Sequence, residues 1–410
     1  MDEKTRELAA AAGCPVHALG GLPDDGTQLQ PSPTLGELRA SGPASRMRYT
    51  GEQDGWFITD YELAKVVLAD PRFAMGSQQY PERQGEHRLA NTRDDLNAMM
   101  DERAVESLSA ANVLGMDGPQ HDKIRRAMIT RFMVKAVRGR QPEVRTIVER
   151  QLDRLLAHGS PADITSEYAR PISAYVHCLV LGVPEQFIEG YVAEYEESPF
   201  QVQFELVREV LAAKAQNLAE DALSDLLRAG LTDHETEGAA WMLMSVGRDN
   251  VERMISTMVV ALLSHPEQLS TLQEDPSLLP GAVEEILRYG NPFLGLLVRT
   301  ATEDVALDGF SAEAGQPVSV SAVAANRDPQ RFEDPDRFDV ARDAFGHLGF
   351  GFGSHSCVGQ QLARVEIREA VGALIHALPH LRLLHAEQLK PMTLANPIGL
   401  HDTGSVLVEW

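Results

Sequence analysis

The densest chemistry in the chain lies in one stretch, Phe350-Gly351-Phe352-Gly353-Ser354-His355-Ser356-Cys357-Val358-Gly359-Gln360-Gln361-Leu362-Ala363-Arg364, a glycine-rich loop with one cysteine that runs into a helical pattern. A phosphate cradle wants GxGxxG or a terminal GK[ST], but here the third glycine is missing and no lysine follows. A zinc site needs three or four ligands, and His355 with Cys357 supplies at most two, with no second cysteine pair elsewhere. A nucleophilic cysteine beside a histidine requires a base held by an orienting group, which spacing alone does not reveal.

The remaining chemistry is that of an axial thiolate. Cys357 stands just before a predicted helix, whose first-turn N–H groups and positive dipole end favour an anionic sulfur. Gly351, Gly353 and Gly359 let the backbone fold tightly and bring N–H donors to that sulfur, while Phe350 shields it from water. Contacts of this kind tune a metal ligand, and a single thiolate on a flat iron macrocycle needs no other protein ligand in the loop.

At every fixed position the loop resembles the haem-binding signature of the cytochrome P450 family, FGxGxHxCxG. The resemblance implies haem b as cofactor, Cys357 as the iron ligand, and Phe350, Gly351 and Gly359 packed around it. Glu285-Ile286-Leu287-Arg288 resembles the family's ExxR helix, whose two charges meet an arginine of a later meander, expected here at Arg327. His121-Asp122-Lys123-Ile124-Arg125 resembles the HxxxR helix, and positions i and i+4 share one face. The resemblance therefore implies that His121 and Arg125 reach the haem propionates, together with Arg299 and His355. Taken singly, an ExxR is commonly a surface ion pair and a His and Arg one turn apart a solvated face. Their weight comes from occurring in order with the cysteine loop.

These residues need a scaffold, and helical periodicity supplies most of it. Apolar residues recur at helical spacing over 60–68, 121–132, 141–156, 203–227, 232–263, 278–289 and 360–377, whereas strand-like segments are short and few, at 55–59, 296–301, 317–322 and 405–410. Thr232 and Glu235 form a capping box that opens the longest helical pattern, which runs about thirty residues to His265-Pro266, on the order of 50 Å. Midway along it Ser245, Gly247, Arg248, Asp249 and Asn250 interrupt an apolar tract, and buried polar groups need partners or a job. The resemblance implies a mainly α fold, a helical triangular prism with a small β region and a long central helix. Residues 1–33 read as an extended arm and 34–410 as one catalytic domain.

The central helix carries a departure. The family pattern there is Ala/Gly-Gly-x-Asp/Glu-Thr, and this chain has Val246-Gly247-Arg248-Asp249-Asn250. Asp249 supplies the acid, but an amide has no readily exchanged hydroxyl proton, so Asn250 is a poor relay during oxygen activation. Asp249 and Asn250 are the candidate catalytic pair. By family topology, Met242, Ser245, Val246, Phe293, Leu296 and Leu400 line the substrate pocket, and residues 185–211 form a lid.

Composition narrows the function. Thirty-seven Lys+Arg against 60 Asp+Glu give a net charge of −23, which repels nucleic acid and anionic lipid. Arg248, Asp249, Asn250, Glu252 and Arg253 break the longest apolar tract, so no membrane anchor is expected. Three dispersed cysteines suit a reducing cytoplasm, and the N-terminus lacks the features of a signal peptide. Between His121 and Arg140, Lys123, Arg125, Arg126, Arg131, Lys135, Arg138 and Arg140 form a local basic patch suited to an acidic partner. In the family, ferredoxin docks there and receives its electrons from ferredoxin reductase. The expected function is oxidation of a medium-sized secondary-metabolite-type organic molecule with O2. Two alternatives stand beside it: oxidative C–C or C–N coupling without net oxygen insertion, suggested by Asn250, and a haem protein that binds ligands without turnover.

Overall fold

Helices begin where a short polar side chain takes up the first free backbone N–H groups. Asp60 accepts from Leu63 N, Asp101 from Ala104 N and Asp221 from Ser224 N, each at the start of a helix. At Thr232 the capping box is present in full, with both reciprocal bonds made. The computed structural model describes residues 26–27, 29–49, 53–75, 98–195, 198–291, 297–307, 309–390 and 404–410.

Among the described residues the chain is mainly helical. In order come α1 (Thr34–Ser41), α2 (Tyr61–Ala69), α3 (Glu102–Ala111), α4 (Gly118–Ile129), α5 (Val134–His158), α6 (Arg170–Leu181), α7 (Glu185–Glu194), α8 (Phe200–Gln216) and α9 (Ala222–Arg228). They are followed by α10 (Asp233–Ser245), α11 (Arg248–Ser264), α12 (Pro266–Glu274), α13 (Leu279–Tyr289), α14 (Ala322–Ala325) and α15 (Gln360–Ala377). The β structure is small. Strands β1 (Ala44–Tyr49), β2 (Gln53–Ile58), β3 (Phe73–Ala74), β5 (Leu297–Ala301) and β8 (Pro317–Val320) form a sheet in the order β1-β2-β8-β5-β3. Within it only the β2–β8 pair is parallel. β4 (Ala162–Asp163), β9 (Arg382–Leu383) and β10 (Leu407–Glu409) make a second sheet, and β6 (Val305–Leu307) pairs with β7 (Phe310–Ala312).

The largest core packs α11 against α6, α13 and α15, with Ile255, Met258, Ile286, Ile367 and Leu374 shielded from solvent. Burial on this scale removes enough apolar surface to fix the helix that follows Cys357. No described helix is long and apolar enough to cross a membrane.

Two expected helices are each broken. The pattern over 203–227 divides at Asn217–Asp221, where Asp221 turns to cap α9 and meets Lys214 Nζ at 2.5 Å. The central pattern divides at Val246–Gly247, because Gly247 adopts φ +117°, a conformation that side-chain-bearing residues rarely take. Side chains from α6 and α7 occupy the broken ladder. Tyr191 Oη donates to Met244 O at 2.6 Å, Ser173 Oγ to Arg248 O at 2.6 Å, and His177 bonds the Leu243 carbonyl.

Candidate active site

The cysteine loop is held by its own backbone. Cys357 N donates to Phe350 O at 2.9 Å and Ser356 N to Gly353 O at 3.1 Å, closing a short turn directly before α15. Gly353, at φ +73°, passes so close to α2 that a Cβ there would stand 2.5 Å from Leu68 O. Gly359 differs from this: its φ is −83°, and a Cβ would meet Cys357 Sγ at an ordinary 3.8 Å.

Cys357 is exposed at the start of α15, yet so much protein surrounds the thiol that desolvation is the largest influence on it and raises its pKa. The Gly359 and Gln360 N–H groups, with the charges of Arg125 and Arg364, act in the opposite direction and favour the thiolate. Behind the loop, Arg364 lies 4.6 Å from the Phe350 ring and bonds Glu284 at 2.6 and 3.0 Å. His347 also meets Glu284, at 3.1 Å. Against the desolvation that burial imposes, His347 and Arg364 hold Glu284 down to about 2. The sequence reading passed over Glu284 and His347 because their meeting spans more than sixty residues.

At the other side of the loop the His121 and His355 ring centroids are 4.4 Å apart. Arg299, buried on β5, is near enough for its charge to help burial lower the His355 pKa, while Asp117 opposes them through a 2.9 Å bond to His355 Nε2. His121 is 1% exposed, its Nδ1 lies 3.0 Å from Asp122 Oδ1, and its Nε2 is buried with no partner among the described residues. A buried ring nitrogen without a partner awaits one; with Nδ1 against the Asp122 carboxylate, Nε2 takes an anion in the ring that carries both protons, and the neighbouring His355 already lies in the field of Arg299. This cluster and the donor-ringed sulfur together fit an iron macrocycle with acidic side groups. Arg125 reaches the cysteine loop: its Nη2 donates to Ser356 O and lies 3.4 Å from Ser356 Oγ, so it braces the loop from α4.

The ExxR pair is fully buried, with Arg288 bonding Glu285 at 2.7 and 2.9 Å. Its third partner is Arg342, whose Nε meets Glu285 Oε1 at 3.2 Å. Arg327, the expected partner, turns to Tyr289 O at 2.9 Å and Asp336 at 2.8 Å, so that part of the reading is corrected. The meander brings Asn326 O and Pro335 O onto Arg288, which leaves Arg327 facing away from the glutamate and carries Arg342 to it.

On the central helices, Met242 is buried, Val246 is 42% exposed at the break, and Ser245 Oγ meets Tyr195 Oη at 2.9 Å. Asp249 lies between Arg248 and Arg253, each at 3.5 Å. Asn250 Oδ1 is buried without a partner among the described residues. Phe293, Leu296 and Leu400 lie outside the described residues.

The cytochrome P450 family model matches residues 183–402, a span that includes the cysteine loop. The chain belongs to the cytochrome P450 family. This P450 is 36% identical to the cytochrome P450 monooxygenase PikC of Streptomyces venezuelae over 92% of its own length and 90% of the relative's. It is 34% identical to vitamin D3 dihydroxylase of Streptomyces griseolus, covering 95% of this chain and 94% of that one. Among solved structures it resembles the mycinamicin VIII C21 methyl hydroxylase MycCI of Micromonospora griseorubida, with TM-score 0.81 and 28% identity over 96% of this chain and 100% of that one. The fold is the P450 fold, and the chain is an oxidoreductase of the monooxygenase family of bacterial secondary-metabolite tailoring enzymes. Membership implies a haem.

Proposed function

We propose that this P450 uses haem b, which Cys357 would hold through its sulfur, to oxidise a medium-sized secondary-metabolite-type molecule with O2 and electrons from a ferredoxin and its reductase. The observation that carries the reading is the Cys357 sulfur ahead of α15, which the Gly359 and Gln360 N–H groups favour as thiolate, on the same loop whose His355 ring packs against His121 with its unpartnered Nε2. Bound haem supplies the iron at which O2 is activated, with thiolate donation favouring O–O cleavage.

The chain's own residues do the rest. His121, Arg125, Arg299 and His355 bind and orient the anionic edge of the cofactor, while Phe350 and the network behind it exclude water from the sulfur. Asp249 moves protons at the break, and Asn250 holds a water or a substrate donor at its Oδ1. Lys135 and Arg138, exposed near the start of α5, and Arg126 on α4 form the part of the basic patch suited to an acidic partner. Lys123 and Arg131 are already paired, with Glu235 and with Glu220 and Asp225.

PikC and the vitamin D3 dihydroxylase bear the names of oxygen-inserting enzymes, which supports insertion over coupling. The test has two parts. Cys357→His must move the reduced carbon-monoxide absorption off its thiolate position; an unchanged band overturns the ligand assignment. Compounds that shift the haem spectrum are then turned over under 18O2. Labelled product supports oxygen insertion, whereas an oxidised or joined product without label supports coupling instead.

A further inference from the structure

Arg248 is the first residue of α11 and is 4% exposed, an expensive position for a cation. Its contacts divide between two elements. Nη1 donates to Tyr191 O on α7 at 2.9 Å, the guanidinium carbon stands 5.4 Å from the Tyr191 ring centroid, and Ser173 Oγ of α6 donates to Arg248 O. Nε lies 3.5 Å from Asp249 Oδ1. Tyr191 in turn donates to Met244 O on the far side of the break, and Tyr195 meets Ser245. The two ends of the broken central helix are thus both fastened to α7, and the acid beside the break lies in charge contact with Arg248.

We propose that Arg248 is a positioning residue that makes the orientation of the Asp249 carboxylate depend on the placement of α7. This rests on the reading of Asp249 as the proton-handling acid. The guanidinium reaches both sides with different nitrogens: Nη1 donates to Tyr191 O, and Nε stands in charge contact with the Asp249 carboxylate at 3.5 Å. When α7 shifts, Tyr191 O moves the guanidinium, and the carboxylate loses or gains one of its two flanking cations while Arg253 remains.

The test uses the haem-loaded enzyme with NADPH, a plant-type ferredoxin and its reductase, without added substrate, and compares Arg248→Leu, Arg248→Gln and Asp249→Asn. Peroxide formed per NADPH reports proton handling, and hydrogen exchange over residues 185–194 reports the hold on α7. Asp249→Asn should change the peroxide ratio by about threefold or more and leave exchange as in the parent. Arg248→Leu should change both. Arg248→Gln keeps an N–H donor for Tyr191 O but no charge for Asp249, so it should change the ratio and spare the exchange. If Arg248→Leu fails to fold, the ratio in Arg248→Gln decides alone. A parental ratio in the Arg248 variants, with an altered one in Asp249→Asn, overturns the positioning role and leaves the acid assignment standing. A parental ratio in Asp249→Asn overturns the acid assignment and this inference with it.

Discussion

Arg208 grips Asp101 with two parallel N–H donors, at 2.8 and 2.9 Å. Its Nε meets Glu237 at 2.8 Å, and Arg103 meets Glu237 from the other side, so four alternating charges join the start of α3 to α8 and α10. Bidentate geometry makes such a pair stronger than an ordinary surface contact, and the Arg208 guanidinium holds the Asp101 carboxyl well below the usual carboxylate range. Phe204 stacks on Trp241 at 5.2 Å beside it, so α8 is fixed to α10 by both charge and packing. Arg208→Gln should speed both association and dissociation of 4-phenylimidazole, followed by stopped-flow haem absorbance, by roughly tenfold, since about 1.4 kcal/mol of closing interaction is lost. Unchanged rates would mean that α3 and α8 need not separate for a ligand to pass.

On the proposed role of His121 at the cofactor's anionic edge, His121→Ala should weaken haem retention by roughly tenfold, read as faster transfer to apomyoglobin. The thiolate carbon-monoxide band should stay in place while haem remains bound. Transfer at the parental rate would remove His121 from the cofactor site.

Glu284 supplies a pH signature. Its folded pKa, about 2, lies below its ordinary value of 4.5. Stabilisation by this depressed carboxylate is therefore present above pH 4.5 and is lost as pH falls toward 2, with an upper bound of about 3 kcal/mol before solvent screening. Glu284→Gln should lower Tm at pH 6 to 7, and the gap from the parent should narrow as pH falls below 4.5. A gap that stays constant down to pH 3 would show that the loss is one of shape and not of charge.

Asn250→Thr restores a hydroxyl where an amide Oδ1 has no partner among the described residues. The expected outcome is a lower peroxide fraction per NADPH, by about twofold or more, with the same haem spectrum. No change would mark Asn250 as neutral toward proton supply.

Arg342→Gln strips one cation from Glu285, which is 0% exposed, and should cost about 3 kcal/mol in thermal or urea unfolding, the lower end for a broken buried pair. Arg327→Gln should leave the Glu285 pair intact and cost its stability through Tyr289 and Asp336 instead. A double-mutant cycle between Glu285 and each arginine separates the two.

The cysteine turn and the capping box were legible in the sequence because each is a short run whose spacing carries its own meaning. Which arginine completes Glu285 is a property of how residues 326–342 turn, since either arginine satisfies a chemical requirement stated only as a cation. The break at Gly247 was hidden for a related reason. Helical spacing resumes beyond the polar run, and the groups that compensate the break, Ser173, His177 and Tyr191, come from far upstream in the chain. The division before Asp221 contains no glycine or proline to mark it.

The interrupted central helix also has an electrical meaning. An unbroken helix passing the site would present only satisfied peptide groups there, with its dipole ends far away. Here the first intrahelical bond of α11 runs from Val251 N to Gly247 O, so the N–H groups of Arg248, Asp249 and Asn250 precede the ladder. The start of a second helix thus faces the middle of the protein with roughly half a positive charge. An anion placed beside Asn250 meets a fixed backbone field, present before any side chain moves.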